Sequence, residues 1–178
     1  MPDANITKSA LARSMKRLMS GKAFAKISVT DICDECGMNR KSFYYHFKDK
    51  YDLMNWIFYT EFIGLITKGG FEDGWGLLES VCELFYKDQE FYKNALATEG
   101  QNSFSEYLSE SIEPIVLYLS DDRFGDAEQN KIMVPLFCDV CIAAVTNWLQ
   151  KGCRVTPKEY ISLIKKMITA LSTNLLNE

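Results

Sequence analysis

Histidine is almost missing from this chain: His46 stands alone among 178 residues. A lone imidazole leaves little for catalysis or metal binding, and no nucleophile, base and orienting acid converge along the sequence, so an enzyme is the remote reading. Strand patterning is lacking as well. No segment carries a run of alternating β-branched residues, and the apolar period is helical nearly throughout, which predicts an all-α chain. Uncharged runs are short, the longest apolar one being residues 140–150. That falls below the roughly 18 to 20 residues of a membrane span, and no membrane partner is expected. The N-terminus has neither the apolar stretch nor the cleavage site of a secretory signal, and the expected location is the cytoplasm. Six cysteines without such a signal are expected as reduced thiols. No internal repeat and no low-complexity tract is present.

What is there describes a globular protein. Hydrophobic residues make up 47% and charged ones 25%, too apolar a balance for disorder. A chain of this length can bury roughly 70% of the surface it exposes when unfolded. The net charge of −4 hides an asymmetry: residues 1–50 hold ten Lys and Arg against five Asp and Glu, and the remainder holds ten against nineteen. A basic head on an acidic body implies that only the head meets a polyanion.

Apolar spacing and end signals predict about nine helices. Leu11, Met15 and Leu18 mark a first helix over residues 5–19. Ser28 with Asp31 resembles a capping box opening a second, which stops at Gly37. Asn39 caps a short third helix through Phe47, and Asp49 caps a fourth that runs to about Lys68. Glycines between Gly69 and Gly76 then break the pattern. Helices follow over residues 77–87, 90–98 and 103–119, the last kinked or split by Pro114. After an acidic turn over residues 120–126 comes a long segment, residues 128–151, apolar nearly all round and therefore requiring cover on most sides. Thr156, Pro157 and Glu159 signal the start of a final helix. Its Ile161, Ile164, Ile168, Leu171 and Leu175 step as a packing seam.

Residues 28–53 carry the functional information. Two short helices joined across Gly37 and Met38, with a longer helix in front, are the parts of a helix-turn-helix. At 100° per residue, Phe43 and Phe47 of the second helix point one way. Lys41, Ser42 and Tyr45 point the opposite way, flanked by Asn39, Arg40, Tyr44 and His46. Such a face supplies donors for phosphate oxygens and a cation long enough to reach base edges.

At these residues the chain resembles the TetR family of bacterial transcriptional regulators. The likeness is carried by Val29, Thr30, Asp31 and Ile32, by the turn of Cys36, Gly37 and Met38, by the run from Phe43 to Phe47, and by Lys50 with Leu53; it covers about residues 6–55. The resemblance implies that Thr30 touches phosphate and that Asn39, Arg40, Lys41 and Ser42 enter the major groove. It implies that Tyr44, Tyr45 and His46 hold the backbone and that Lys50 binds a further phosphate. Where the family often has small residues this chain has Asn39, Arg40 and Ser42, which makes Arg40 a candidate reader of guanine. Residues 91–107, with Gly100, Gln101 and Asn102, and residues 137–160, with Trp148, Leu149 and residues 156–159, look similar to regulators of dihydroxyacetone kinase operons. That likeness implies dihydroxyacetone, or a kinase-like coactivator protein sensing it, as effector.

The expected architecture is thus an N-terminal helix-turn-helix domain over residues 1–51 and an effector-binding and dimerisation domain over residues 52–178. A recognition helix of this length reads few base pairs, so a homodimer on an inverted-repeat double-stranded DNA operator is expected. Phe137, Cys141, Val145, Trp148, Ile161, Ile164, Ile168 and Leu171 are the candidate dimer interface. Phe85, Phe91, Tyr92, Phe104 and Tyr107 are candidates for an effector pocket, with core packing the commoner fate of such a set. Cys33 with Cys36, and Cys138 with Cys141, have CxxC spacing, but both pairs fall inside predicted helices and packing accounts for them better than metal. No cofactor is expected. The alternative function is an all-helical protein-interaction module without DNA binding.

Overall fold

The computed structural model describes residues 2–69, 73–98, 103–120 and 126–175. Among them there are nine α-helices and no strand. In order these are α1 (Pro2–Met19), α2 (Val29–Glu35), α3 (Arg40–His46), α4 (Lys50–Lys68), α5 (Gly74–Lys87), α6 (Gln89–Leu96), α7 (Phe104–Ser120), α8 (Ala127–Gln150) and α9 (Pro157–Leu175). A 3-10 turn, Phe24–Lys26, lies between α1 and α2. Gly100, Gln101, Asn102 and most of the expected acidic turn lie outside the described residues.

The local signals act as their chemistry dictates. Ser28 Oγ accepts the Asp31 N–H at 3.1 Å, and the Asp31 carboxylate accepts the Ser28 N–H at 2.7 Å, closing a capping box on α2. Gly37 takes the left-handed conformation at φ 68°, letting the Met38 N–H return to the Cys33 carbonyl at 2.9 Å. Asp49 caps α4 by accepting from Tyr51 and Asp52, and Thr156 and Glu159 cap each other at the start of α9. A further box, Asp126 with Gln129, opens α8. Pro114 does not split its helix: α7 runs past it, as α8 runs past Pro135. Each proline forfeits one backbone bond, and the packing of α7 along α8 holds both helices together.

One apolar core runs from head to body. Leu11 and Met15 of α1, Ile32 of α2 and Phe43 of α3 are fully buried at its head end. It continues through Leu53 and Phe58 of α4 to Phe85 and Tyr92. α4 therefore belongs to both halves, and the expected boundary after residue 51 falls within its first turn.

Two expectations for the last helices need correction. Val145, Trp148 and Ile161 are buried in their own protomer, not available to a partner. Trp148 stacks on Tyr160 with ring centroids 5.2 Å apart and donates its indole N–H to the Val155 carbonyl at 3.1 Å. Cys141 and Ile164 are half-buried, while Phe137 and Ile168 are exposed; the side chain of Leu171 lies outside the described residues. A bare apolar stripe runs along each helix, Ile132, Leu136 and Val140 on α8 and Leu163 and Met167 on α9, residues not anticipated from sequence. Full cover of α8 fails as well: only 28% of its most apolar window is buried. Glu128–Gln150 is also long and apolar enough, by composition, to cross a membrane, because a single carboxylate, Asp139, interrupts residues 132–150.

Candidate nucleic-acid interface and effector cavity

α3 is anchored from beneath. Phe43 is fully buried and Phe47 is 2% exposed; their rings pack at a tilt, and Phe47 packs edge-on against Trp56 of α4. Above them Arg40, Lys41, Tyr44 and Tyr45 face outward, Tyr45 being 82% exposed. Leaving a tyrosine ring so bare has no value to a monomer core, whereas a phenol on a rigid helix suits a phosphate oxygen. Arg40 lies over the Tyr44 ring, its guanidinium carbon 5.7 Å from the centroid and one nitrogen 3.4 Å from the Tyr44 hydroxyl. That contact steers the guanidinium along the exposed face.

The other candidates divide. Thr30 is exposed in the first turn of α2. Asn39 Oδ1 accepts the Ser42 N–H at 2.8 Å and the Ser42 hydroxyl at 3.1 Å, so these two residues hold the start of α3 as well as standing beside Arg40. His46 is half-buried, its ring edge-on to Tyr45 at 4.8 Å.

Lys50 corrects its expectation. Its ammonium donates to the carbonyl oxygens of Phe24 at 2.9 Å, Ala25 at 3.3 Å and Ile27 at 2.8 Å, and sits 4.5 Å from the Phe24 ring centroid. All three donors are used inside the head, with burial pushing the ammonium's pKa down. This lysine therefore locks the turn before α2 onto α4.

Much of the head's positive charge is likewise spent internally. Lys16 pairs with Glu61 and Asp88, Arg17 with Glu35 and Lys22 with Asp31. Lys8 lies over the rings of both Phe47 and Trp56. Arg40 and Lys41 on α3, Lys48 just after it and Lys26 before α2 are exposed. Lys26 and Lys48 were not anticipated; their place at the ends of the two short helices is the signal that marks them.

The body contains a cavity of about 400 Å³ walled by α4, α5, α7 and α8. Phe62, Val81, Phe85, Ile112 and Ile142 supply its apolar lining. Of the five predicted pocket residues only Phe85 lines it. Phe91, Tyr92 and Phe104 are 2% exposed or less and make the core behind the wall: Tyr92 stacks on Phe85, Phe91 meets Tyr92 edge-on, and Phe104 packs at an angle against Tyr92 and Phe58. Tyr107 packs edge-on against Phe58. Cys138 and Cys141 line the cavity, and burial pushes their thiols up to about 12 and about 11, so both stay neutral. Cys33 is buried in the head, and Cys36 directs its thiol to the Ile32 carbonyl at 3.3 Å.

Comparison with known proteins agrees with this geometry. Residues 14–56 match the family described as bacterial regulatory proteins, tetR family, and residues 75–170 match a transcriptional regulator C-terminal region. A 75-residue stretch is 35% identical to the HTH-type dhaKLM operon transcriptional activator DhaS of Lactococcus lactis, covering 42% of this chain and 40% of that protein. The match thus spans well under half of the curated relative's length. Among solved structures, the dihydroxyacetone kinase operon activator DhaS superposes with a TM-score of 0.67 at 20% identity, over 93% of this chain and 96% of the other. NalD, the secondary repressor of the MexAB-OprM multidrug efflux pump in Pseudomonas aeruginosa, superposes with a TM-score of 0.61 at 15% identity, over 94% and 96%. At these identities the superpositions show a shared fold.

Proposed function

Because this chain belongs to the TetR family of bacterial transcriptional regulators, we propose that it is a sequence-specific DNA-binding regulator acting as a homodimer in the cytoplasm. The observation that carries the proposal is the outward face of α3, with Arg40, Lys41, Tyr44 and Tyr45 exposed over buried Phe43 and Phe47. Arg40 is assigned to a base edge. Lys41, Tyr44, Tyr45, His46 and Thr30 are assigned to the phosphate backbone with Lys26 and Lys48, and Asn39 and Ser42 to positioning the start of the helix.

A recognition helix of under two turns needs a second copy roughly 34 to 36 Å away, or a near multiple, on an inverted repeat. The bare stripes of α8 and α9 support a four-helix contact across a twofold axis. It also explains why α8 is membrane-like in composition: its open side is reserved for another copy of itself. The head, residues 1–51, is assigned to DNA and the remainder to dimerisation and effector binding. An effector that prefers one arrangement of the body then shifts the population of DNA-competent dimers.

An electrophoretic mobility shift on the chain's own upstream region tests the proposal. A sharp band that resists competitor DNA and weakens steeply with salt is expected. Absence of any shift in dilute buffer overturns it in favour of a protein-interaction module. The stretch shared with the Lactococcus lactis activator supports a narrower reading, control of a dihydroxyacetone kinase operon. A kinase gene beside this one, and binding to its promoter, are the expected results.

A further inference from the structure

The chemistry of the body cavity deepens the regulatory reading, on which its biological meaning rests, by fixing the class of effector. We propose that the cavity binds an uncharged, largely apolar small molecule and does not accept a polar triose such as dihydroxyacetone. Its volume, about 400 Å³, falls within the range of small-ligand pockets, ~300 to 1,000 Å³. Among the described residues no lysine, arginine or histidine lines it, so an anion entering would lose its hydration without a counter-charge. One carboxylate, Asp73, belongs to the lining; it is exposed, and it already accepts the Gly76 N–H at 2.9 Å as the cap of α5. The thiols of Cys138 and Cys141 are neutral and form weak hydrogen bonds. A triose would leave its hydroxyls unpaired against Val81, Ile112 and Ile142, whereas an apolar molecule gains from the same walls.

Occupancy is placed to matter. Phe85, in the wall, stacks on Tyr92 at 4.1 Å between centroids, and Phe62 follows Glu61 on α4. Tyr92 and Glu61 join body to head through Lys16.

The test is fluorescence titration of the full-length protein with the neutral apolar probe N-phenyl-1-naphthylamine, followed by competition. Saturable binding displaced by 1-decanol is expected, with decanoate and decyltrimethylammonium weaker by about tenfold or more and dihydroxyacetone without effect. Ile112→Trp and Val81→Phe fill the cavity from different walls and are expected to reduce probe affinity by about tenfold while retaining a cooperative thermal transition. Displacement by dihydroxyacetone, preference for either charged competitor, or unchanged probe binding in both filled variants overturns the proposal. Should one variant fail to fold, the other and the competition series still decide. A parallel mobility shift separates the two readings: loss of DNA binding with intact probe binding sinks the regulator and leaves the ligand class standing, and the reverse sinks the ligand class alone.

Discussion

The Tyr92 hydroxyl donates to Glu61 Oε2 at 2.5 Å, linking a fully buried ring of α6 to the helix that begins beneath the recognition helix. Burial and the neighbouring carboxylate push the Tyr92 phenol well above its ordinary pKa, so it remains a donor. Glu61 also accepts from Lys16 of α1, and Lys16 reaches Asp88 at 2.5 Å. Four side chains from head and body thus share one polar junction, against whose buried side lies the Phe85 wall of the cavity. Removing the phenol leaves Glu61 Oε2 without that donor, while Lys16 still pairs with the other carboxylate oxygen. Tyr92→Phe is expected to cost about 1 to 2 kcal/mol in urea unfolding. Paired with Lys16→Met it should depart from additivity by about 0.5 kcal/mol or more, since both act on Glu61; strict additivity would mean the junction is no unit.

Arg40 and Lys41 neighbour each other on α3 but are assigned different tasks. Arg40→Ala is expected to relax preference at one base pair per half-site, losing about 1 to 3 kcal/mol of discrimination there. Lys41→Ala and Lys48→Ala should weaken all sequences evenly and lower the salt slope by about one. Binding curves on single-base operator variants at several salt concentrations separate the two behaviours.

Lys50 is expected to behave as a structural residue. Its ammonium binds three carbonyls of the turn before α2, so Lys50→Met should destabilise the fold by about 1 to 3 kcal/mol. The salt slope of operator binding should stay unchanged in the folded fraction. A reduced slope with normal stability would return Lys50 to the phosphate set.

The bare stripe of α8 fixes where dimerisation should fail. Leu136→Asp with Val140→Asp is expected to give folded monomers in light scattering that no longer shift operator DNA, because both side chains are exposed in the protomer. Ile161→Asp should instead lower thermal stability, since that side chain is 1% exposed and a charge there is buried unpaired. A Leu136/Val140 variant that remains dimeric would move the interface elsewhere.

The α2 cap has an acid limit. The Ser28 backbone and hydroxyl hold the Asp31 carboxyl at about 2 against its ordinary 3.8. A depressed carboxylate stabilises the fold above its unfolded pKa and loses that contribution as pH falls through the folded one. The capping box is therefore intact at neutral pH and lost between about pH 4 and pH 2. Circular dichroism on acidification should show a decrease in this window that Asp31→Asn lacks; identical curves would assign the acid sensitivity to other carboxylates.

Helix number, the turn at Gly37 and the two faces of α3 followed from residue type and spacing, because capping and a 100° step are local properties that a few consecutive residues decide. Ser28 with Asp31 and Thr156 with Glu159 needed no distant partner to be recognised. The fate of Lys50, the Lys16–Glu61–Tyr92 junction and the division of aromatics between core and cavity were not legible, since each depends on groups tens of residues apart in the chain. Apolar spacing states that Ile161 and Ile168 share a helix face, but whether a residue near that face meets its own protomer or open solvent is set by how α5 and α9 pack. Periodicity is written along the chain; burial belongs to what folds over it, and only tertiary packing separates a core aromatic such as Phe91 from a wall such as Phe85.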